Sequence, residues 1–333
     1  ETIANGLYVA GTSGFTDIAL NANTNPVIDS HSEVSFVISK AENSPTTLHP
    51  IGALTKESKG EELAELFDMK SAGSIAFGDY KKPIINPNLL KIALQYASSF
   101  DGLVHSYPHE ARVAANGVMN ENLMSTQLGL KGLPALAEEL QIARDLFILE
   151  YTEGKLHIPT ISTAKSVELI REAKAKKLDV SCSVAIHNLM FTDECLSDFD
   201  TNYKVIPPWR TASDVEALVQ GVKDGTIDMV TSDHNPIDIE YKKIEFDYAK
   251  NGTIGLESAF GVLNTLFTTK KAVQLLSKGK ERFGLKNTSI EIGSSANLSL
   301  FNPSKPYVFE NKHIRSKSKN SMFLGSKLKG TVY

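Results

Sequence analysis

The sequence has little with which to cross-link itself: 2 cysteines, Cys182 and Cys195, in 333 residues. One pair cannot staple a chain of this length, so a reducing, cytoplasmic compartment is the simplest setting. Apolar runs are short. FGVL at 260–263 is typical, and none approaches the roughly 20 residues that cross a bilayer. No block of one sign of charge stands out. Lys plus Arg number 35 against 39 Asp plus Glu, a net charge of -4, which argues against nucleic acid or an anionic membrane as the main partner. No GxGxxG follows the first strand-like run, so a dinucleotide site has no support. HxH, HExxH and CxxC pairs are missing too, so spacing alone asserts no metal site. What remains is a chain with 41% hydrophobic residues, enough for two domains or one large barrel with an appendage.

A regular order of elements is present. ETIANGLYVAGTSGF reads as an amphipathic helix without an initiator Met, so the chain is expected to enter its fold partway. Strand-like runs follow at 15–20, 47–54, 74–79, 102–108, 155–162, 178–184 and 227–233, separated by helix-period segments that open on Ser, Thr or Asn and close on Gly. This alternation predicts right-handed βαβ units and a parallel sheet. Seven strands plus one upstream of residue 1 would make a (βα)8 TIM barrel; a doubly wound open sheet is the alternative. From residue 286 the texture shifts to short strands and turns. The expected organisation is therefore a barrel over 1–285 and part of a small, composite β domain over 286–333. The basic stretch at 312–329 reads as solvated loop and edge strand.

In such a barrel, function collects at the carboxyl ends of the strands. That rule selects Asn23, Asp79, Tyr107, His109, Thr160, Ser162, His187, Asp233 and His234. His and Asp converging on one rim suit a hydrolytic metal site, where a bound cation lowers the pKa of water. Plain structural roles compete. Asp79 and Asp233 also fit helix caps, Asn23 sits in the turn-rich NANTNP, and His157 inside a strand reads as a packed core residue. His31 and His49 read as loop residues.

The stretches GFTDIALNANTNP, IAFGDYKKPI, LGLKGLPALAEELQIARDL, LHIPTISTAKSVELIREAK, VIPPWRTASDVEALVQGVKDGTID, TSDHNP and SKSKNSMFLGSKLKG make the chain resemble dihydroorotases of the cyclic amidohydrolase superfamily. The resemblance implies a metal-bearing α/β barrel with a composite β domain. It also implies zinc, and reversible hydrolysis of dihydroorotate to N-carbamoyl-aspartate in pyrimidine synthesis. It further implies an HxH pair upstream of ETIANG, and association with itself or with aspartate transcarbamoylase.

Carried over position by position, the resemblance points to a degenerate site. Asp79 matches the first Asp of FSDDGKPI, a candidate metal bridge, and Asp233 matches the catalytic, metal-binding Asp of TDHAPH. Asn23 matches the substrate-contacting Asn of MPNT. The twin His of PHHL is reduced to His187. Tyr107 stands for the His of HCED and Thr160 for the metal-binding His of HxxHIST; Ile206 and Ile237 replace a substrate-contacting Asn and His. Neutral phenols and hydroxyls are poor zinc ligands. The expectation is a chain that binds at most one metal, or none, and acts as a structural or regulatory homologue. The alternative is an active enzyme with a mononuclear zinc site, built from the upstream His pair and Asp233.

Overall fold

The computed structural model describes residues 2–286, 290–294 and 296–333. Several of its helices begin where a side chain supplies the missing backbone partner. Thr2 caps the helix Ile3–Thr12, Asn86 caps Pro87–Ser98 with Pro87 in the first turn, and Thr163 caps Ala164–Ala175. Thr211 and Asp214 form a capping box for Ala212–Asp224, and Gly225 ends that helix at φ 85°, a backbone conformation that costs glycine least.

Between the helices run β1 (Asp17–Leu20), β2 (Thr47–Gly52), β3 (Ala76–Phe77), β4 (Val104–His105), β5 (Met119–Asn120), β6 (Gly132–Leu133), β7 (Leu156–Ile158), β8 (Val180–Ala185) and β9 (Met229–Thr231). Seven of these form one parallel sheet in the order β1-β2-β3-β4-β7-β8-β9, and they are the seven expected from the sequence. The short parallel pair of β5 and β6 was not expected. Ile18 of β1 and Met229 of β9, from opposite edges of the sheet, face the same cavity. The sheet therefore curls around an interior, and the open-sheet alternative fails. Parallel strands covered by helices should be apolar on both faces, and Val180–Ala185 is buried throughout.

An ion cluster ties β1 and β2 together near the amino end of the barrel. Asp17 pairs with His49 Nε2 at 2.9 Å and Lys280 Nζ at 2.6 Å, and Thr16 Oγ1 donates to it at 2.7 Å. His49 is thus a β2 residue with a fixed partner, and His31 opens the helix His31–Ser39; neither is the loop residue expected. Burial alone would raise the Asp17 carboxyl, but the hydrogen bonds from His49, Lys280 and Thr16 outweigh it and hold the group below its ordinary value. A depressed carboxylate stabilises the fold above the unfolded value of about 3.9 and loses that contribution as pH falls through the folded value. Asp17→Asn is expected to melt below the parent at pH 6, with the gap closing as both are acidified below pH ~4. A constant gap across a pH series of thermal melts would contradict this.

His157, in β7, is a satisfied core residue: its ring nitrogens meet Ser181 Oγ at 2.8 Å and Ser183 Oγ at 3.2 Å. At the carboxyl end of the chain, β10 (Phe301–Val308) and β11 (Lys327–Val332) pair antiparallel. They sit on the helix Leu256–Leu266, where Asn264 Nδ2 donates to Pro303 O and Lys329 O, each at 2.8 Å. Within the stretch where a change of texture is expected from residue 286, residues 287–289 and 295 lie outside the described ones. No helix among the described residues is long and apolar enough to cross a membrane.

Candidate active site at the barrel mouth

A cavity of about 780 Å³ opens at the mouth, lined there by Asn23, Tyr80, Lys81, Tyr107, Thr160, Asp233 and His234. The chain therefore gathers most of the strand-end residues expected, together with two that were not. Three of these residues, Tyr80 (φ 54°), Thr160 (φ 51°) and Asp233 (φ 46°), have left-handed backbones. Such conformations are uncommon outside glycine and collect at functional sites.

Asp233 follows β9 and is almost fully buried. Its Oδ2 lies 2.7 Å from Lys81 Nζ, which also donates to Ile206 O at 2.6 Å. Burial pushes the Asp233 carboxyl up, against the pull of the Lys81 ammonium. His187, in the turn Ile186–Leu189 after β8, is fully buried with its ring edge-on to Trp209 at 5.2 Å. Its Nε2 is 4.0 Å from Asp233 Oδ2 and neither ring nitrogen has a hydrogen-bond partner. Burial, helped by Lys81, lowers its pKa to about 3, so the ring is neutral.

Tyr107 is buried beside His109 at 5.9 Å between ring centres, and its phenol is pushed well up by burial and by nearby Glu138 and Asp233. The Thr160 hydroxyl is buried without a partner. His234 is held differently. Gly255 comes so close to Ser232 that a Cβ there would lie 2.1 Å from Ser232 O. This approach aims Gly255 N and Leu256 N at His234 Nδ1, at 3.2 and 3.3 Å. Nδ1 is then an acceptor and the proton sits on Nε2. Burial lowers the His234 pKa to about 4.

His109, Ser162 and His187 stand outside the cavity lining, and Asp79, Ile206 and Ile237 are placed otherwise as well. Asp79 does not line the cavity. Its Oδ1 accepts from Leu54 N at 2.9 Å and Thr55 N at 3.0 Å, and its Oδ2 accepts from Thr55 Oγ1 at 2.5 Å. With both oxygens engaged it clamps the loop after β2, so the expected metal bridge faces away from the mouth. Ile206 presents its carbonyl to Lys81 while its side chain packs by Ala114, Leu133 and Ala137. Ile237 lies against Gly252 and its N donates to Asn320 Oδ1 at 3.2 Å. Neither isoleucine lines the cavity.

Tyr80 and Lys81 are the residues that the strand-end rule missed. The signal was present: FGDYKKPI set beside FSDDGKPI has Tyr and Lys where the second Asp and the Gly belong. The mouth around Asp233 holds one ammonium, one neutral imidazole beyond hydrogen-bond reach, and the hydroxyls of Tyr80, Tyr107 and Thr160. Among the described residues no three His, Cys, Asp or Glu side chains converge in a way that could hold a metal.

Comparison with known proteins fixes the lineage. The dihydro-orotase-like family profile matches residues 1–166. The dihydroorotase of Acetivibrio thermocellus is 41% identical over 100% of this chain and 80% of its own length. The chain belongs to the dihydroorotase family. The dihydroorotase of Ruminiclostridium cellulolyticum is 42% identical over 99% of the chain and 79% of its own length. Among solved structures, the L-hydantoinase of Arthrobacter aurescens superposes with a TM-score of 0.86 at 20% identity, covering 99% of this chain and 78% of that one. The D-hydantoinase of a Thermus species gives 0.82 at 19% identity, over 100% and 77%. At that distance the likeness establishes the α/β barrel of a dihydroorotase-family protein, and the chemistry must come from the site.

Proposed function

We propose that this dihydroorotase-family chain is a structural or regulatory homologue that does not itself hydrolyse dihydroorotate. The observation that carries the reading is the pairing of Asp233 with Lys81 inside a mouth where Tyr107 and Thr160 supply only neutral hydroxyls. Dihydroorotases normally use zinc, which binds carboxylate oxygen at about 2.0–2.2 Å within a shell of imidazole and carboxylate. The donors here do not fit that ion. The carboxylate they offer already holds a cation, and a phenol raised above its ordinary value of about 10 gives up its proton reluctantly.

Association with aspartate transcarbamoylase or with a second copy, in the cytoplasm, is part of the same proposal. It would give an intact barrel a use without turnover. The alternative, an active enzyme with a mononuclear zinc, uses Asp233 with the His pair expected upstream of residue 1; His187, with no partner at either ring nitrogen, lies 4.0 Å from Asp233.

One experiment decides between the two. Full-length protein is analysed for metal and assayed for cyclisation of N-carbamoyl-aspartate, with an active dihydroorotase as control. The expected result is zinc far below one equivalent and no rate above the blank. Turnover that a chelator abolishes and zinc restores would establish the alternative.

A further inference from the structure

We infer that Lys81 is the resident cation of this site, its ammonium taking the place of a metal ion at Asp233; the inference rests on the functional reading above. The two residues are 152 positions apart in sequence, and Lys81 reaches from the loop after β3 to the end of β9 across the mouth. The contact is no accident of a flexible surface lysine. The Lys81 side chain is 12% exposed and that of Asp233 4%. The loop that carries Lys81 is fastened on both sides. Asp79 binds Leu54 and Thr55, and Lys82 Nζ donates to Ser58 O at 3.1 Å. The left-handed backbone at Tyr80 turns the chain inward, and the Tyr80 ring centre lies 5.5 Å from Lys81 Nζ, within range of a cation–π contact.

The chemistry follows from charge and space. A buried carboxylate without a partner is strongly disfavoured, and a metal ion or a fixed ammonium can each neutralise it. A compact ammonium at 2.7 Å makes a short charge-assisted hydrogen bond. A divalent ion on the same oxygen would sit within a few ångströms of that positive charge and be repelled. The pair therefore satisfies Asp233 and excludes the ion in a single contact. A site built this way holds its shape without metal, as a scaffold needs and a zinc hydrolase does not.

The test uses three arms on the full chain. Thermal melts of the parent with zinc and with a chelator should coincide. Lys81→Met, which keeps the apolar stem and removes the charge, should melt roughly 5–10 °C lower, in line with the loss of one partner of a buried pair. Lys81→Met combined with Asp233→Asn should recover much of that loss, since neither buried charge remains. Should the single variant fail to fold, amine acetylation read by mass spectrometry serves in its place. Lys81 should label far more slowly than the exposed Lys176 (58% exposed), and Asp233→Asn should release it. A Lys81→Met melt equal to the parent, labelling of Lys81 as fast as Lys176, or zinc uptake that unmasks Lys81 would overturn the inference. Metal-dependent turnover with Lys81 still protected would overturn the functional reading alone and support the pair.

Discussion

Glu138→Ala is expected to lower the unfolding free energy by about 3–5 kcal/mol, because it strips the acceptor from a buried network and leaves a cation behind. Glu138 sits on the helix Leu136–Thr152 and is 3% exposed. Its Oε1 accepts from Ser162 N at 2.7 Å, Thr163 N at 3.2 Å and Ser166 Oγ at 2.6 Å, and its Oε2 accepts from Ser162 Oγ. The carboxylate thereby ties the strand-end segment after β7 to the first turn of the helix Ala164–Ala175, where negative charge is favoured. Arg210 lies 3.9 Å away, 1% exposed, and also reaches Ser162 Oγ, Asn120 Oδ1 and Leu133 O. Removing the carboxylate orphans four donors and takes from the guanidinium the counter-charge 3.9 Å away. Glu138→Gln keeps the shape and should cost less than half as much. Urea unfolding of the three proteins measures this, and a loss under 1 kcal/mol for Glu138→Ala would mean that water replaces the carboxylate.

The second large effect is a gain. The variant carrying Tyr80→Asp, Lys81→Gly, Tyr107→His and Thr160→His should take up zinc, while the same variant retaining Lys81 should not. All four positions line the mouth, and histidine tolerates the left-handed backbone at residue 160 better than most residues do. Metal that binds only the folded chain stabilises it by about 4 kcal/mol at a thousandfold excess over Kd, so the melt should climb with added zinc. Changes at Ile206 and Ile237 should contribute no zinc, because those side chains lie outside the cavity. The single substitutions should each do little, since a ligand shell acts as a unit. Metal content and melts with and without zinc are the measurements. Equal zinc uptake with and without Lys81 would show that the lysine does not guard the site.

The seven barrel strands were legible in the sequence because alternating strand and helix periods leave a long-range rhythm that turns and caps punctuate. The pair of β5 and β6 was not, since it pairs only with itself and stands outside the seven-stranded order that the rhythm follows. The rim was legible in position but not in direction. A strand-end rule selects Asp79 and passes over the two residues after it, yet successive loop residues point to different sides. Asp79 turned toward Leu54 and Thr55 while Tyr80 and Lys81 turned inward. Lys81 escaped notice for a simple reason: a lysine in a loop reads as solvated until a buried carboxylate from a distant strand is shown to meet it. His187 and Asp233 were found because His and Asp after a strand already carry a chemical expectation.

The bonds around Asn320 set an order of events for a chain emerging from a ribosome. Asn320 accepts from Ile237 N, donates to Asn235 O and Gly252 O, and through its carbonyl accepts from Ile254 N. The contacts with Ile237, Asn235 and Gly252 close sequence gaps of 83, 85 and 68 residues. The segment just past Asp233 thus gains its final anchor only after residue 320 has been made. Closing such distant contacts is slow relative to local helix formation. The preceding strands can pair before that point, whereas the part of the mouth beside Lys81 and Asp233 is finished only after it. A ribosome stalled before residue 320 should therefore present a protease-sensitive 235–252 loop on an otherwise resistant nascent barrel.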